Sequence, residues 1–67
     1  MVTLRINGVH QSFEQSLHID QLLQRLSLVG KKIAVEHNGE LVRRSDYSSC
    51  LLVEGDQLEI VLAVGGG

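Results

Sequence analysis

The chain has 67 residues, one Phe, one Tyr, one Cys and a formal net charge of −2, and 43% of its residues are hydrophobic. This composition allows one small domain with an aliphatic core, and it excludes a disulfide framework, a strongly basic nucleic-acid-binding surface and a membrane span. With no signal peptide visible at the start, we expect a cytoplasmic protein without nucleic-acid or membrane partners.

The first elements in the chain form a predicted β-hairpin. Val2, Leu4 and Ile6 alternate with polar neighbours, which is the pattern of a half-buried strand. Asn7-Gly8 follows, and these residue types tolerate the positive φ angles of a type I′ turn. The alternation then continues through residues 9–14, which predicts the returning strand.

An amphipathic helix is predicted next, over residues 18–28. Apolar residues at i, i+3, i+4 and i+7 form one stripe: Ile19, Leu22, Leu23 and Leu26. Gly30 is a typical residue after a helix end. Two residues compete as N-cap, because Ser16 is the better capping type and His18 is the better placed.

The second half of the chain predicts three further strands. Residues 33–35 form a short strand, a second Asn-Gly turn follows at 38–39, and the chain returns through 41–42. Residues 45–49 suggest a turn or one helical turn, residues 54–56 suggest another turn, and residues 58–64 form the last strand.

This order predicts an α+β fold of the β-grasp, or ubiquitin-like, type. One helix can cover only one face of a small mixed sheet, which then curls around it. The last strand is expected in the centre, against the first strand. We therefore predict a single domain over residues 1–64 and a flexible glycine tail over residues 65–67.

The tail is the most distinctive feature of the chain. Gly65, Gly66 and Gly67 have no side chains, so they form a thread of roughly 10 Å that can enter a channel closed to other residues. The reactive group of such a thread is the carboxylate of Gly67, which another protein's active site could activate. A solvated end without chemistry is the alternative.

The histidines, the cysteine and the last strand give weaker indications of a functional site than the glycine tail does. His10, His18 and His37 lack the spacing of metal ligands, so no metal site and no catalytic constellation are predicted. Cys50 is interpreted as a small, partly buried residue, with a sulfur-transfer role as the less favoured reading. If the last strand buries Leu58 and Ile60, the opposite face carries Val61 and Ala63, which form a candidate docking face.

These segments together resemble the ThiS family, the sulfur carrier proteins of thiamine biosynthesis. The resemblance spans the chain and is clearest at residues 33–42 (IAVEHNGELV), 44–47 (RSDY), 54–61 (EGDQLEIV) and 63–67 (AVGGG). Arg43, Tyr47 and Leu62 depart from the residues common in the family. None of the three lies in the glycine tail.

The resemblance implies a carrier that is a protein co-substrate and not an enzyme. A ubiquitin-activating-type adenylating enzyme would use ATP to join AMP to Gly67, with Gly65 and Gly66 threading into its active site. A sulfur donor such as a cysteine desulfurase would then convert the adenylate to a thiocarboxylate, and thiazole synthase would take the sulfur. The carrier itself would need no cofactor.

Two alternatives stay open at this point. In the same class, the chain could be the small subunit of molybdopterin synthase or a carrier for tRNA thiolation. In another class, it could be a ubiquitin-like interaction domain without sulfur chemistry, because this fold hosts many functions.

Overall fold

The structure, a computed structural model, describes residues 1–62. Its elements in chain order are the strands and helices β1 (Val2–Ile6), β2 (Val9–Phe13), α1 (Ile19–Arg25), β3 (Ile33–His37), β4 (Glu40–Val42), a 3₁₀ turn (Arg44–Asp46) and β5 (Gln57–Leu62). Ala63, Val64 and the glycine tail lie outside the described residues, so the predicted extent of the domain and the mobility of residues 65–67 stay predictions. No helix within residues 1–62 is long and apolar enough to cross a membrane.

The five strands form one mixed sheet in the order β2-β1-β5-β3-β4. Strand β5 runs parallel to β1 and antiparallel to β3, so the last strand is central, as predicted. Both Asn-Gly turns have the positive φ angles of a type I′ turn, at Asn7 and Gly8 and at Asn38 and Gly39. The observed fold is therefore the β-grasp.

The core lies between α1 and one face of the sheet. Alternate residues of the central strands point towards the helix, and the fully buried side chains are Leu4, Ile19, Leu22, Val35, Leu52 and Leu58. Burying an aliphatic side chain of this size stabilises the fold by about 2 kcal/mol, so packing of this kind supports a small domain that has no disulfide.

The helix is shorter than predicted, because it ends at Arg25 and not near residue 28. Ser27 adopts a left-handed conformation with a φ of 59°. The N–H of Leu28 donates to the carbonyl of Leu23 and that of Ser27 to Gln24, which is the Schellman arrangement. A serine thus ends the helix, and Gly30 belongs to the following turn.

The helix begins after His18, which settles the choice of N-cap. The side-chain oxygen of Gln21 accepts a hydrogen bond from the His18 N–H at 2.9 Å. The N–H groups of Ile19 and Asp20 donate to the carbonyls of Cys50 and Tyr47. The first turn is therefore satisfied largely by the loop before β5, a contact that local sequence does not encode.

Candidate docking face and its supporting cluster

The sheet has a face that α1 does not cover, here called the open face. In β5, Leu58 and Ile60 point into the core, so Val61 points to the opposite side. The residue paired with Val61 in β3 is Ala34, and Leu41 of β4 lies on the same face. Val61 is 60% exposed and Leu41 is 70% exposed, so the open face presents apolar surface to solvent.

This face adjoins the segment that carries the expected chemistry. Val61 is the residue before Leu62, the last described residue of β5, and five residues, 63–67, follow. Five residues reach at most about 17 Å, so any active site that accepts Gly67 must open within that distance of Leu62. Ala63, Gly65, Gly66 and Gly67, the other predicted site residues, lie outside the described part of the chain.

Asn7 holds β5 in place, a role that its turn geometry alone did not predict. Its side-chain amide donates to the carbonyl of Ile60 at 3.0 Å, and its side-chain oxygen accepts from the Ile60 N–H at 2.7 Å. The side chain thus extends the ladder between β1 and β5 beyond the end of β1. This pair of bonds fixes the strand segment that carries Val61.

A hydrogen-bonded cluster of three side chains lies at the other end of β5, and sequence analysis missed it. The Nε2 atom of His37 lies 2.9 Å from Oδ2 of Asp56, and Nδ1 of His37 lies 3.7 Å from Sγ of Cys50. When His37 is neutral and Nε2 carries its proton, that nitrogen donates to Asp56 and Nδ1 can accept from the thiol. His37 is therefore half-buried and hydrogen-bonded, whereas His10 is exposed.

The Asp56 carboxylate organises the turn before β5. It also accepts a hydrogen bond from the Val53 N–H at 3.0 Å and one from the Asn38 amide at 3.2 Å. Burial alone raises the pKa of the Asp56 carboxyl, but the hydrogen bonds from Val53, His37 and Asn38 outweigh burial and hold this pKa below its usual value. The turn predicted at residues 54–56 is present, and Asp56 fastens it to β3.

The arrangement of thiol, imidazole and carboxylate is not an activated nucleophile. Burial, followed by the negative charges of Asp56 and Asp46, raises the pKa of the Cys50 thiol. A thiol with a raised pKa is mostly protonated at neutral pH and reacts slowly. The cluster therefore has a structural role, which is to fasten the loop before β5 to the end of β3.

We predict that Asp56→Asn lowers the free energy of unfolding by about 2 kcal/mol, because buried donors lose their charged acceptor. Urea denaturation followed by circular dichroism measures the loss. Asp46→Asn is the control, since its exposed contact with Arg43 at 3.8 Å should be worth less than about 0.5 kcal/mol. Equal effects of the two changes would contradict this assignment.

The Asp56 contribution should also depend on pH with a defined sign. A carboxyl whose folded pKa is lowered stabilises the fold fully above its unfolded pKa, near 3.9, and loses this contribution as the pH falls through the folded value. The difference in the free energy of unfolding between wild type and Asp56→Asn should therefore shrink as the pH falls below about 4.

Comparison with known proteins gives one family. The model of the ThiS family matches residues 4–67. A crystal structure of the thiamine biosynthesis protein (ThiS) from Geobacter metallireducens superposes with a TM-score of 0.85 at 29% identity, covering 98% of this chain and 100% of that chain.

Curated relatives include longer proteins. The thiazole synthase of Paramagnetospirillum magneticum is 42% identical over 64 residues, which cover 96% of this chain and 20% of that protein. For the thiazole synthase of Magnetococcus marinus the identity is 36% over the same shares. The chain thus spans about a fifth of these relatives. The uncharacterized protein ycf40 of Porphyra purpurea is 30% identical over 66 residues, covering 98% of this chain and 93% of that protein.

Proposed function

The chain belongs to the ThiS family, and on this basis we propose that it carries the sulfur for the thiazole moiety of thiamine on the carboxylate of Gly67. The observation that carries the proposal is the family match, which continues through Gly67. The central position of β5 adds support, since neighbouring strands on both sides hold β5, which ends at Leu62, five residues before Gly67.

The chemistry begins at the carboxylate of Gly67. A free carboxylate is a poor acyl electrophile, so an adenylating enzyme of the ubiquitin-activating type joins it to the AMP part of ATP and releases pyrophosphate. A sulfur nucleophile at the oxidation level of sulfide then attacks the acyl carbon, and AMP leaves. When the donor is a cysteine desulfurase persulfide, its terminal sulfur attacks the acyl carbon and AMP leaves, which gives an acyl disulfide. A second thiol then attacks the desulfurase sulfur, forms a disulfide with it and releases the thiocarboxylate.

The carrier in this scheme is a co-substrate acted on by its partners. Gly65 and Gly66 keep the tail narrow enough to enter their active sites, and the open face around Val61 provides recognition. ATP belongs to the adenylating enzyme, so the carrier itself holds no cofactor. The partner that takes the sulfur is thiazole synthase, and all these encounters take place in the cytoplasm.

The comparisons favour this pathway over the alternatives. The relatives with 42% and 36% identity are named thiazole synthases, and the superposed structure is of a thiamine biosynthesis protein. A small subunit of molybdopterin synthase, a carrier for tRNA thiolation and an interaction domain without sulfur chemistry have no comparable observation in their favour.

Genetic complementation tests the function. The chain, expressed to end at Gly67, should restore growth without thiamine to a bacterium that lacks its own thiamine sulfur carrier. The same chain without Gly67 is the matched control. A bacterium that expresses this shortened chain should grow only when the thiazole moiety is supplied. Failure of the full chain, together with rescue of a strain deficient in molybdopterin or tRNA thiolation, would refute the thiamine assignment.

A further inference from the structure

A groove lies on the helix side of the sheet, between α1 and the 3₁₀ turn that follows β4. Its lining residues come from α1, the loop after the helix, the start of β3 and the segment of the 3₁₀ turn. Its volume of about 290 Å³ is just below the usual range of small-molecule sites, about 300–1,000 Å³. Because the open face lies on the opposite side of the sheet, the groove is a separate surface.

Backbone hydrogen bonds hold both walls of the groove, so the groove exists before anything binds. The Lys31 N–H donates to the carbonyl of Leu28 at 3.2 Å and closes the turn after α1. On the other wall, the Asp20 N–H donates to the carbonyl of Tyr47 at 3.1 Å and joins the helix to the 3₁₀ turn. A preformed site loses less conformational freedom on binding than one that must first be ordered.

The groove has an apolar floor and a cationic rim. Lys31 and Arg44 line it and are exposed, and within residues 1–62 no carboxylate lies within salt-bridge distance of either one. Asp20 also lines the groove, and its side-chain oxygen accepts a hydrogen bond from the Gln21 N–H at 2.8 Å. The apolar lining residues are buried or half-buried: Leu23, Leu28, Ile33 and Tyr47.

The cations near the groove are concentrated at one end of an otherwise acidic molecule. The formal net charge is −2, yet four of the six Lys and Arg residues fall in the pairs Lys31-Lys32 and Arg43-Arg44. The first pair directly precedes Ile33, the partner of Leu62 at the end of β5. The second pair directly follows β4, which runs antiparallel to β3. Both pairs therefore lie at the end of the sheet where β5 ends.

We propose that the groove binds an acidic segment of a partner protein, with one apolar side chain of that segment on the floor and its carboxylates against Lys31 and Arg44. Burial of the apolar side chain supplies attraction, and opposite charges supply orientation and faster association. The inference goes beyond the proposed function, because it involves neither the open face nor the chemistry of Gly67. The protein can therefore hold such a segment while its tail serves another partner.

The composition of the groove decides against other occupants. The chain's own last three residues are glycines, which bring no side chain to the apolar floor and lose the most backbone freedom when ordered. A nucleic acid needs a longer series of phosphate contacts than two rim cations offer. A second copy of this chain carries the same net negative charge and is repelled.

The test begins with selection of a random peptide library, displayed on phage, against the immobilised protein. We expect the enriched sequences to place Asp or Glu on both sides of an aromatic or branched apolar residue. An enriched peptide is then titrated into isotope-labelled protein and followed by amide chemical shifts. The changes should be largest at Val29, Lys31 and Ser48 of the groove and small at Val61 of the open face.

Charge reversal of the rim separates a local site from a general attraction. We expect Lys31→Glu/Arg44→Glu to weaken binding of the peptide on the order of a hundredfold at about 50 mM salt, with a smaller effect at about 300 mM. The control Arg5→Glu/Arg25→Glu makes the same change in net charge at exposed positions outside the groove, and it should cost less than about threefold. Thermal unfolding shows that both variants are folded.

The apolar floor is tested through the peptide, which avoids any change in the core of the protein. Replacing the apolar residue of the peptide by serine should weaken binding at least about tenfold, because burial of that side chain is lost.

Four results would overturn the inference. They are a selection that enriches no acidic sequences, shift changes confined to the open face, equal losses for the two double variants, and a protein that dimerises through the groove without peptide. Because neither the selection nor the titration involves the tail, failure of the proposed function would appear in the complementation experiment and not in these measurements.

Discussion

Removing Gly67, or adding one alanine after it, is expected to abolish thiocarboxylate formation while binding to the adenylating enzyme persists. Addition replaces the reactive carboxylate of Gly67 by an amide. Deletion leaves a carboxylate on Gly66 that is about 3.5 Å short of its position. Because a misplacement of about 1 Å already costs on the order of a hundredfold in rate, we expect a loss of at least about a thousandfold.

Single-turnover assays with ATP and the adenylating enzyme measure this effect as release of pyrophosphate. The control is a chain with one alanine added before Met1, whose side chain is exposed, because this change has the same composition and leaves the tail intact. A truncated chain that is adenylated at the normal rate would show that the enzyme does not measure the length of the tail.

The change Val61→Asp is expected to weaken binding to the adenylating enzyme by about a hundredfold, which corresponds to about 2.7 kcal/mol. It places a charge in the apolar part of the open face, next to Glu36 and Glu59. A partner that covers this face would have to remove water from that charge. The fold should persist, because the Val61 side chain is 60% exposed. Calorimetric titration gives the affinity, and thermal unfolding shows whether the variant is folded.

A matched control is available at Val9. This valine is also 60% exposed and also lies in a strand, but its partner in β1 is Ile6, which points to the core. Val9→Asp should therefore leave binding nearly unchanged. Equal losses for the two variants would show that the open face does not dock. The same change at Ala63 is expected to act as Val61→Asp does, although Ala63 lies outside the described residues.

The strands were predictable because their determinants are local. Alternation at Val2, Leu4 and Ile6 sets which side faces the core, and Asn7-Gly8 sets the turn. The central position of β5 followed from the helical connection, which lets later strands return beside the first pair. The exposure of Val61 then followed from the burial of Leu58 and Ile60.

The features that sequence did not predict depend on contacts between distant residues. His37 lies 19 positions from Asp56 and 13 from Cys50, so their hydrogen bonds appear only after β3 and β5 have paired. The helix end was misplaced because Ser27, rather than a glycine, adopts the left-handed conformation. The opposition of Glu36 and Glu59 likewise requires the register of two strands that are far apart in sequence.

The mass of the intact protein is the most direct test of the central claim, that sulfur is carried on Gly67. After incubation with ATP, the adenylating enzyme and a sulfur donor, we predict that one oxygen is replaced by one sulfur, that fragmentation assigns the change to Gly67, and that Cys50→Ser gives the same result. An unchanged mass, or a whole additional sulfur atom located on Cys50, would contradict the account.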